Sequence, residues 1–286
     1  MDLDAYLRRI AYDGSREPSS RTLAAVLHHH AMAIPFENVS VLAHGAPACD
    51  IDTLEDKIVR HRRGGWCFEH NHLLLAALQS LGFDATPLSA RVRYGVPRGT
   101  ITPRTHMVLC ARVDGRRLLV DGGFGRHTPT APVDLDLRAP QRTAHEDARV
   151  IEDGDDLLLQ IDAAGEWRDG YSFDFVRQHP VDFAQMSWYT ATRPGALFAN
   201  NLIAALPVRD GRVTLLNRTL TRRTLAGAEE QTHLDSIDAL RDALARSFGI
   251  RPDDAELDAA WEIGGRGAAA AATVAPAAAG RGGRIR

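Results

Sequence analysis

The apolar residues of this chain change their spacing once, near residue 86, and that change restricts the folds open to it. Before it the period is helical. Leu3, Tyr6, Leu7 and Ile10 share one helical face ahead of Gly14, and Leu23, Val26, Leu27 and Ala31 repeat the pattern up to Pro35, where the residue preceding a proline disfavours helical backbone. A third helix is expected over 53–62, capped by Asp52 or Thr53. A fourth begins after Gly64-Gly65, carries Phe68, Leu74, Leu75, Leu78 and Leu81, and stops at Gly82. From there apolar and polar residues alternate, which predicts strands over 88–94, 106–113, 117–121, 148–152, 157–161 and 171–175, then a late hairpin over 213–216 and 219–225. A last helix over 236–248 closes at Gly249. Helices first, strands next and a mixed end predict an α+β fold, not a parallel α/β sheet. Residues 264–286, mostly Gly, Ala and Arg, have little to bury and are expected to form a disordered tail.

Composition excludes several classes of function. The 286 residues, 44% of them hydrophobic, are enough for a sizeable core in two or three packed subregions. Lysine and arginine total 34 against 37 aspartates and glutamates, a net charge of −3 that gives no long-range pull towards nucleic acid or an anionic membrane. No stretch approaches the ~20 apolar residues of a membrane span, and the acidic start Met1-Asp2-Leu3-Asp4 does not resemble a signal peptide. Cys49, Cys67 and Cys110 are too few and too scattered for a disulfide framework. A reducing cytoplasm is the expected compartment, where a free thiol survives as a reagent.

The densest chemistry lies in Arg63-Gly64-Gly65-Trp66-Cys67-Phe68-Glu69-His70-Asn71. The glycines permit a tight entry to the helix that follows, so Cys67 stands at a helix N-terminus. The unpaired amides and positive dipole end there favour a thiolate, and the same amides can hold a developing oxyanion. Cys110, inside an alternating strand, and Cys49, in a loop, read as structural cysteines.

A base and its orienter follow from the strand run Thr105-His106-Met107-Val108-Leu109-Cys110-Ala111-Arg112-Val113 and its partner Arg116-Arg117-Leu118-Leu119-Val120-Asp121, joined by Asp114-Gly115. Asp-Gly between apolar runs is a strong hairpin signal. With a two-residue loop Val113 faces Arg116, and His106 and Asp121 become diagonal neighbours on one sheet face. Diagonal pairs lie about 7–8 Å apart at the backbone, within reach of an imidazole–carboxylate bond. A three-residue loop would separate them. Cys67, His106 and Asp121 then form a nucleophile, a base and its orienter.

The remaining histidines read more plainly. His61, Cys67, His70 and His72 cluster in sequence, but on a helix Cys67 and His70 share a face that His72 leaves, so no metal site is expected. The run His28-His29-His30 reads as a solvated surface. His127, just past Gly-Phe-Gly, is a candidate ligand contact by its loop position.

These residues resemble the arylamine N-acetyltransferase family. The likeness rests on Ile34-Pro35-Phe36-Glu37-Asn38-Val39, on Arg63 through Asn71, on His106-Met107-Val108-Leu109 and on Asp121-Gly122-Gly123-Phe124-Gly125. Weaker matches follow at Asp182-Phe183, Trp188-Tyr189 and Leu220-Thr221. The resemblance implies an N-terminal helical bundle over 1–85, a central antiparallel β-barrel-like region over 86–195 and a C-terminal α/β lid over 196–263, around a cysteine-proteinase-like Cys-His-Asp core. It implies a triad of Cys67, His106 and Asp121 that passes an acetyl group from acetyl-CoA, as co-substrate and not as a resident cofactor, to an arylamine or hydrazine by a ping-pong route. It places Thr102, Thr105, Phe124, Gly125 and Tyr189 on the donor and acceptor cleft, with Phe36 as an acceptor wall and Phe68 as a further donor- or substrate-binding residue. Gly122 departs from the small apolar residue the family carries there, and the Ala/Gly/Arg tail has no counterpart.

Other activities share these residues. Amide synthases that close polyketide macrolactams resemble the same family and take the acyl group from a carrier-protein thioester; the residues around Gly122 could reflect that role. A cysteine hydrolase uses the same triad chemistry, although the flanking motifs point away from it.

Overall fold

The computed structural model describes residues 1–273. Helices α1 (Leu3–Arg9), α2 (Ser20–Ala33), α3 (Val39–His44), α4 (Ile51–Leu54, prolonged by a π turn over Glu55–Arg60) and α5 (Cys67–Ser80) come first, with a short strand β1 (Phe36–Glu37) after α2. The third predicted helix starts earlier than its expected cap. Asp50, not Asp52 or Thr53, caps it, accepting from the Thr53 amide at 3.0 Å, because the true Ncap sits three residues before the amide it receives.

The change of period is realised as β2 (Asp84–Val92), β3 (Arg104–Val113), β4 (Arg116–Val120), β5 (Val133–Asp134), β6 (Ala148–Asp153), β7 (Asp156–Ala163) and β8 (Glu166–Arg177). They form one antiparallel sheet in the order β5-β4-β3-β2-β8-β7-β6. Gln141 nearly closes it into a barrel. Its side chain bonds the backbone of Asp134 in β5 at 2.7 and 2.9 Å, while its backbone pairs with Ala148 at the start of β6. Joining two edges in this way removes exposed pairing groups.

Strand alternation sorts β3 between two cores. Met107, Leu109 and Ala111 pack against Leu23, Leu27, Trp66, Phe68 and Leu78 of the helices. Val108 and Cys110 point into the barrel with Leu159, Tyr171 and Phe173. His106 lies on the second face, at the mouth of the barrel.

Helices α6 (Pro180–Thr192) and α7 (Leu197–Asn200) lead to β9 (Ile203–Val208), β10 (Gly211–Leu216), β11 (Thr219–Thr224) and β12 (Glu229–His233), then to α8 (Ile237–Ala243, prolonged by a π turn over Leu244–Phe248) and α9 (Asp254–Thr273). The second sheet has the order β1-β9-β10-β11-β12, so Phe36 pairs with Ala205 far along the chain. One face of this sheet packs Val213 and Leu215 on Leu240, Leu244, Phe248, Leu257 and Ala260. Residues 264–273, expected in a disordered tail, instead continue α9, since alanine has the strongest helix propensity; the rest of that tail lies outside the described residues. Among the described residues no helix is long and apolar enough to cross a membrane.

Candidate active site

Two close backbone approaches bring Cys67 into position. The Arg63-Gly64-Gly65 segment runs beside Pro35–Glu37, with Gly65 N–H donating to Pro35 O (3.2 Å) and Glu37 N–H to Gly65 O (2.8 Å). A Cβ on Gly64 would stand 2.1 Å from Pro35 O, so only glycine fits this approach. Arg63 locks the pair by bonding Glu37 (3.2 Å) and Glu256 (2.6 Å). Helix α5 then starts at Cys67, with Glu69 reaching back to the Trp66 amide (3.1 Å). Cys67 is 3% exposed, and its sulfur lies 3.8 Å from Thr105 O.

The β3–β4 hairpin turns at Asp114 and Gly115, both at positive φ (52° and 71°), as a two-residue turn of this kind requires. Val113 faces Arg116 and Leu109 faces Val120. Continued one residue past β4, this register brings His106 Nε2 to Asp121 Oδ2 at 2.7 Å, both side chains buried. Asp121 Oδ1 accepts from Asn71 Nδ2 (3.0 Å) and from the Gly123 amide (2.8 Å).

Electrostatics follow from these contacts. Burial favours a neutral His106 ring, but the Asp121 charge and hydrogen bond, with the Cys67 sulfur behind them, push it up to about 10. Burial also opposes the Asp121 carboxylate, yet His106, Asn71 and Gly123 hold it below the ordinary aspartate range. With Nε2 committed to Asp121, Nδ1 is the ring nitrogen left for the Cys67 sulfur. The arrangement is a buried imidazole whose charged form is favoured by a carboxylate on one side and a sulfur on the other.

Behind it runs a second buried chain. Tyr6 Oη bonds His30 Nδ1 (2.9 Å), His30 Nε2 bonds His70 Nδ1 (2.9 Å), and His70 Nε2 donates to Pro35 O (3.1 Å). His30 was expected in a solvated run and is instead fully buried, because α2 turns that one histidine towards Tyr6 and α5. Its ring also accounts for Gly122. A Cβ there would meet His30 at 2.8 Å, and one on Gly123 would meet Cys67 Cα and His70 Cβ at 2.9 Å. The loop after Asp121 is therefore seated flush on α5.

The other candidates lie in different surroundings. Phe124 covers His106 (ring centroids 5.1 Å), and Gly125 backs onto the Phe36 ring, which stacks on His70 and meets Phe198. Thr105 contributes its carbonyl beside Cys67, whereas the Thr102 hydroxyl is spent on Val92 O (2.8 Å) and pins its loop. Phe68 points into the core between Trp66 and Phe183, not into a cleft. Tyr189 is 41% exposed on α6 beside Arg193, and no hydrogen bond or ring contact joins it to the residues around Cys67. His127 is buried against Tyr94.

Sequence reasoning passed over several contributors. Asn71 stood inside the glycine–cysteine motif without a role. Tyr171, buried 4.9 Å from the His106 ring, and Phe198, against Phe36, carried no local signal. Among the described residues no three His, Cys, Asp or Glu side chains converge as metal ligands.

A family model described as N-acetyltransferase matches residues 20–257. The chain is 39% identical over 255 residues to an arylamine N-acetyltransferase of Mycolicibacterium smegmatis, covering 87% of this chain and 92% of that one. It is 33% identical over 255 residues to the Escherichia coli arylamine N-acetyltransferase, covering 89% and 90%. The solved structure of Mycobacterium marinum arylamine N-acetyltransferase in complex with CoA superposes with a TM-score of 0.86 at 35% identity, covering 93% of this chain and 99% of that one.

Proposed function

Since the chain belongs to the arylamine N-acetyltransferase family, we propose that it moves an acetyl group from acetyl-CoA to the nitrogen of an arylamine or hydrazine through a thioester on Cys67. The observation that carries this reading is the buried His106 ring bonded to Asp121 at 2.7 Å, with Cys67 at the start of α5 among the groups that favour its charged form. A charged ring there stabilises a thiolate partner, the reactive form of cysteine.

In the first half-reaction the Cys67 thiolate attacks the thioester carbonyl of the donor. The first-turn amides of α5, which have no partners within the helix, face the developing oxyanion. The carbon–sulfur bond to CoA breaks, and its thiolate takes the His106 proton. In the second, the acceptor nitrogen attacks the Cys67 thioester and gives its proton to His106. The amide leaves and the thiolate–imidazolium pair is restored. Asp121 orients the ring and stays ionised throughout. Donation from CoA is supported by the M. marinum relative, solved with CoA. Gly122 carries no weight for the amide-synthase reading, because the His30 ring accounts for it.

Thiol release from acetyl-CoA with an arylamine acceptor tests the proposal in the wild type and in Cys67→Ala. The variant should be inactive with its fold intact. Equal turnover in both would dismiss the mechanism.

A further inference from the structure

Three buried side chains with no step in the proposed reaction are joined end to end behind it. Tyr6 (α1), His30 (α2) and His70 (α5) are fully buried, and the bonds that join them to one another and to Pro35 use every ring nitrogen of the two histidines. The far end sets the direction of the whole chain. Pro35 O can only accept, so His70 Nε2 carries the hydrogen of that 3.1 Å bond. In a neutral ring His70 Nδ1 is then a lone pair, which obliges His30 Nε2 to donate to it at 2.9 Å. His30 Nδ1 becomes an acceptor in turn, and the Tyr6 hydroxyl donates to it at 2.9 Å. With both rings neutral, only this placement of protons satisfies every bond.

The surroundings hold both rings neutral. Burial, with the His70 ring and Arg9 of α1, keeps His30 well below the ordinary histidine range. Burial holds His70 down to about 4, and Lys57 acts the same way, against the Pro35 bond and the Asp121 and Glu37 charges. Burial also raises the Tyr6 phenol, in spite of Arg9, so the hydroxyl keeps the proton it donates.

Both the end and the flank of the chain touch the reaction centre. Pro35 O accepts from the Gly65 amide at 3.2 Å as well as from His70, so one carbonyl is held from either side of Cys67. The loop after Asp121 rests on the same rings. A Cβ on Gly122 would meet the His30 ring at 2.8 Å, and one on Gly123 would meet His70 Cβ and Cys67 Cα at 2.9 Å. The start of α5 and the loop of Asp121 therefore share one floor.

We infer that Tyr6, His30 and His70 are positioning residues of the reaction, a one-way hydrogen-bond chain that sets Cys67 against the His106–Asp121 pair. The inference rests on the proposed function and extends it to residues that touch no reacting atom. A buried chain with every donor and acceptor used holds one geometry. Its source is the Tyr6 hydroxyl. Without it His30 Nδ1 is a buried acceptor with no donor, and nothing holds the ring under Gly122 and against His70.

The experiment compares the wild type with Tyr6→Phe, which removes the hydroxyl and keeps the ring. NMR of the histidine ring nitrogens, assigned with His30→Gln and His70→Gln, should show both wild-type rings as neutral Nε2–H tautomers at neutral pH. A charged ring, or an Nδ1–H tautomer in either, overturns the chain. In Tyr6→Phe, iodoacetamide should modify Cys67 about tenfold more slowly. The kcat for acetyl transfer should fall by a similar factor with both KM values unchanged, since a misplaced nucleophile weakens the transition state and not substrate binding. Unchanged alkylation and kcat in the folded variant overturn the inference. So does a loss that only matches the unfolded fraction seen by circular dichroism, or a change confined to KM. Alkylation and NMR need no turnover. A wild type that transfers no acetyl group, with Cys67 alkylation still slowed in Tyr6→Phe, refutes the proposed reaction and leaves the chain standing.

Discussion

Asn71 grips the loop of Asp121 from both sides of one peptide: its Nδ2 donates to Asp121 Oδ1 at 3.0 Å, and its Oδ1 accepts from the Gly122 amide at 2.9 Å. The same Nδ2 also donates to Met107 O (2.7 Å), one residue from His106. Since Asn71 stands one turn after Cys67 on α5, a single side chain sets the helix of Cys67, the strand of His106 and the loop of Asp121 against one another.

Asn71→Ala should therefore cost activity beyond any effect on the fold. It leaves Met107 O and the Gly122 amide unpaired, each worth about 1–3 kcal/mol when buried, and frees Asp121 to rotate. The expected result is a drop in kcat/KM on the order of 10²-fold, as for misplacement of a catalytic group by about 1 Å, with a lower melting temperature. Unchanged kcat/KM in a folded variant would contradict the role.

Packing of Gly122 on His30 predicts a coupled pair. Gly122→Ala drives a methyl to 2.8 Å from the ring and should destabilise the protein by about 1–3 kcal/mol through overpacking. His30→Ala removes the obstacle at its own cost to the Tyr6–His30–His70 chain. Urea unfolding of both single variants and the double variant should show strong non-additivity, with the second substitution relieving the first. Strictly additive effects would mean that the contact carries no energy.

The three thiols should differ sharply towards iodoacetamide. Burial pushes the Cys49 and Cys110 thiols up, which suppresses their reactive thiolates. Cys67 stands at the start of α5 beside His106, whose charged form Asp121 favours. Peptide mapping after brief treatment should find label at Cys67 in step with loss of activity. Comparable labelling of all three cysteines would argue against an activated thiol.

Stability should bend at both ends of the pH range. His70 is held at about 4 by burial, and burial with the neighbouring His70 ring holds His30 well below the ordinary histidine range. Between pH 6.5 and 4 the unfolded chain thus binds a proton that folded His70 refuses, and stability falls by up to about 1.4 kcal/mol per pH unit on its account, with His30 acting in the same direction. His106 acts in the opposite sense. Its folded value of about 10 lies above the unfolded one, so its contribution is complete below about pH 6.5 and fades as pH climbs towards 10. Melting curves of wild type and His106→Gln should converge over that alkaline window; a constant gap would refute the charged ring.

What could be read in advance depended on how local its cause was. The Asp114-Gly115 turn sets a register that one residue pair specifies, so the approach of His106 to Asp121 was available from the hairpin alone. The start of α5 followed from two glycines and an apolar run. Features made by distant partners were not visible. His30 is buried because Tyr6 and His70 meet it, and nothing near residue 30 announces either. Strand β12 (Glu229–His233) is exposed along its length and has no apolar alternation to reveal it. Helix α6 opens on Pro180, with Asp182 bonded back to the His179 amide at 2.8 Å, a capping signal that stood in the sequence and was passed over.

Intact-mass measurement after mixing the protein with acetyl-CoA, with no acceptor present, tests the thioester most directly. The account predicts one acetyl group per chain, mapped to Cys67, missing from Cys67→Ala and discharged when an arylamine is added. Unmodified protein that nevertheless acetylates the amine once both substrates are present, or an acetyl group that maps elsewhere, would contradict it.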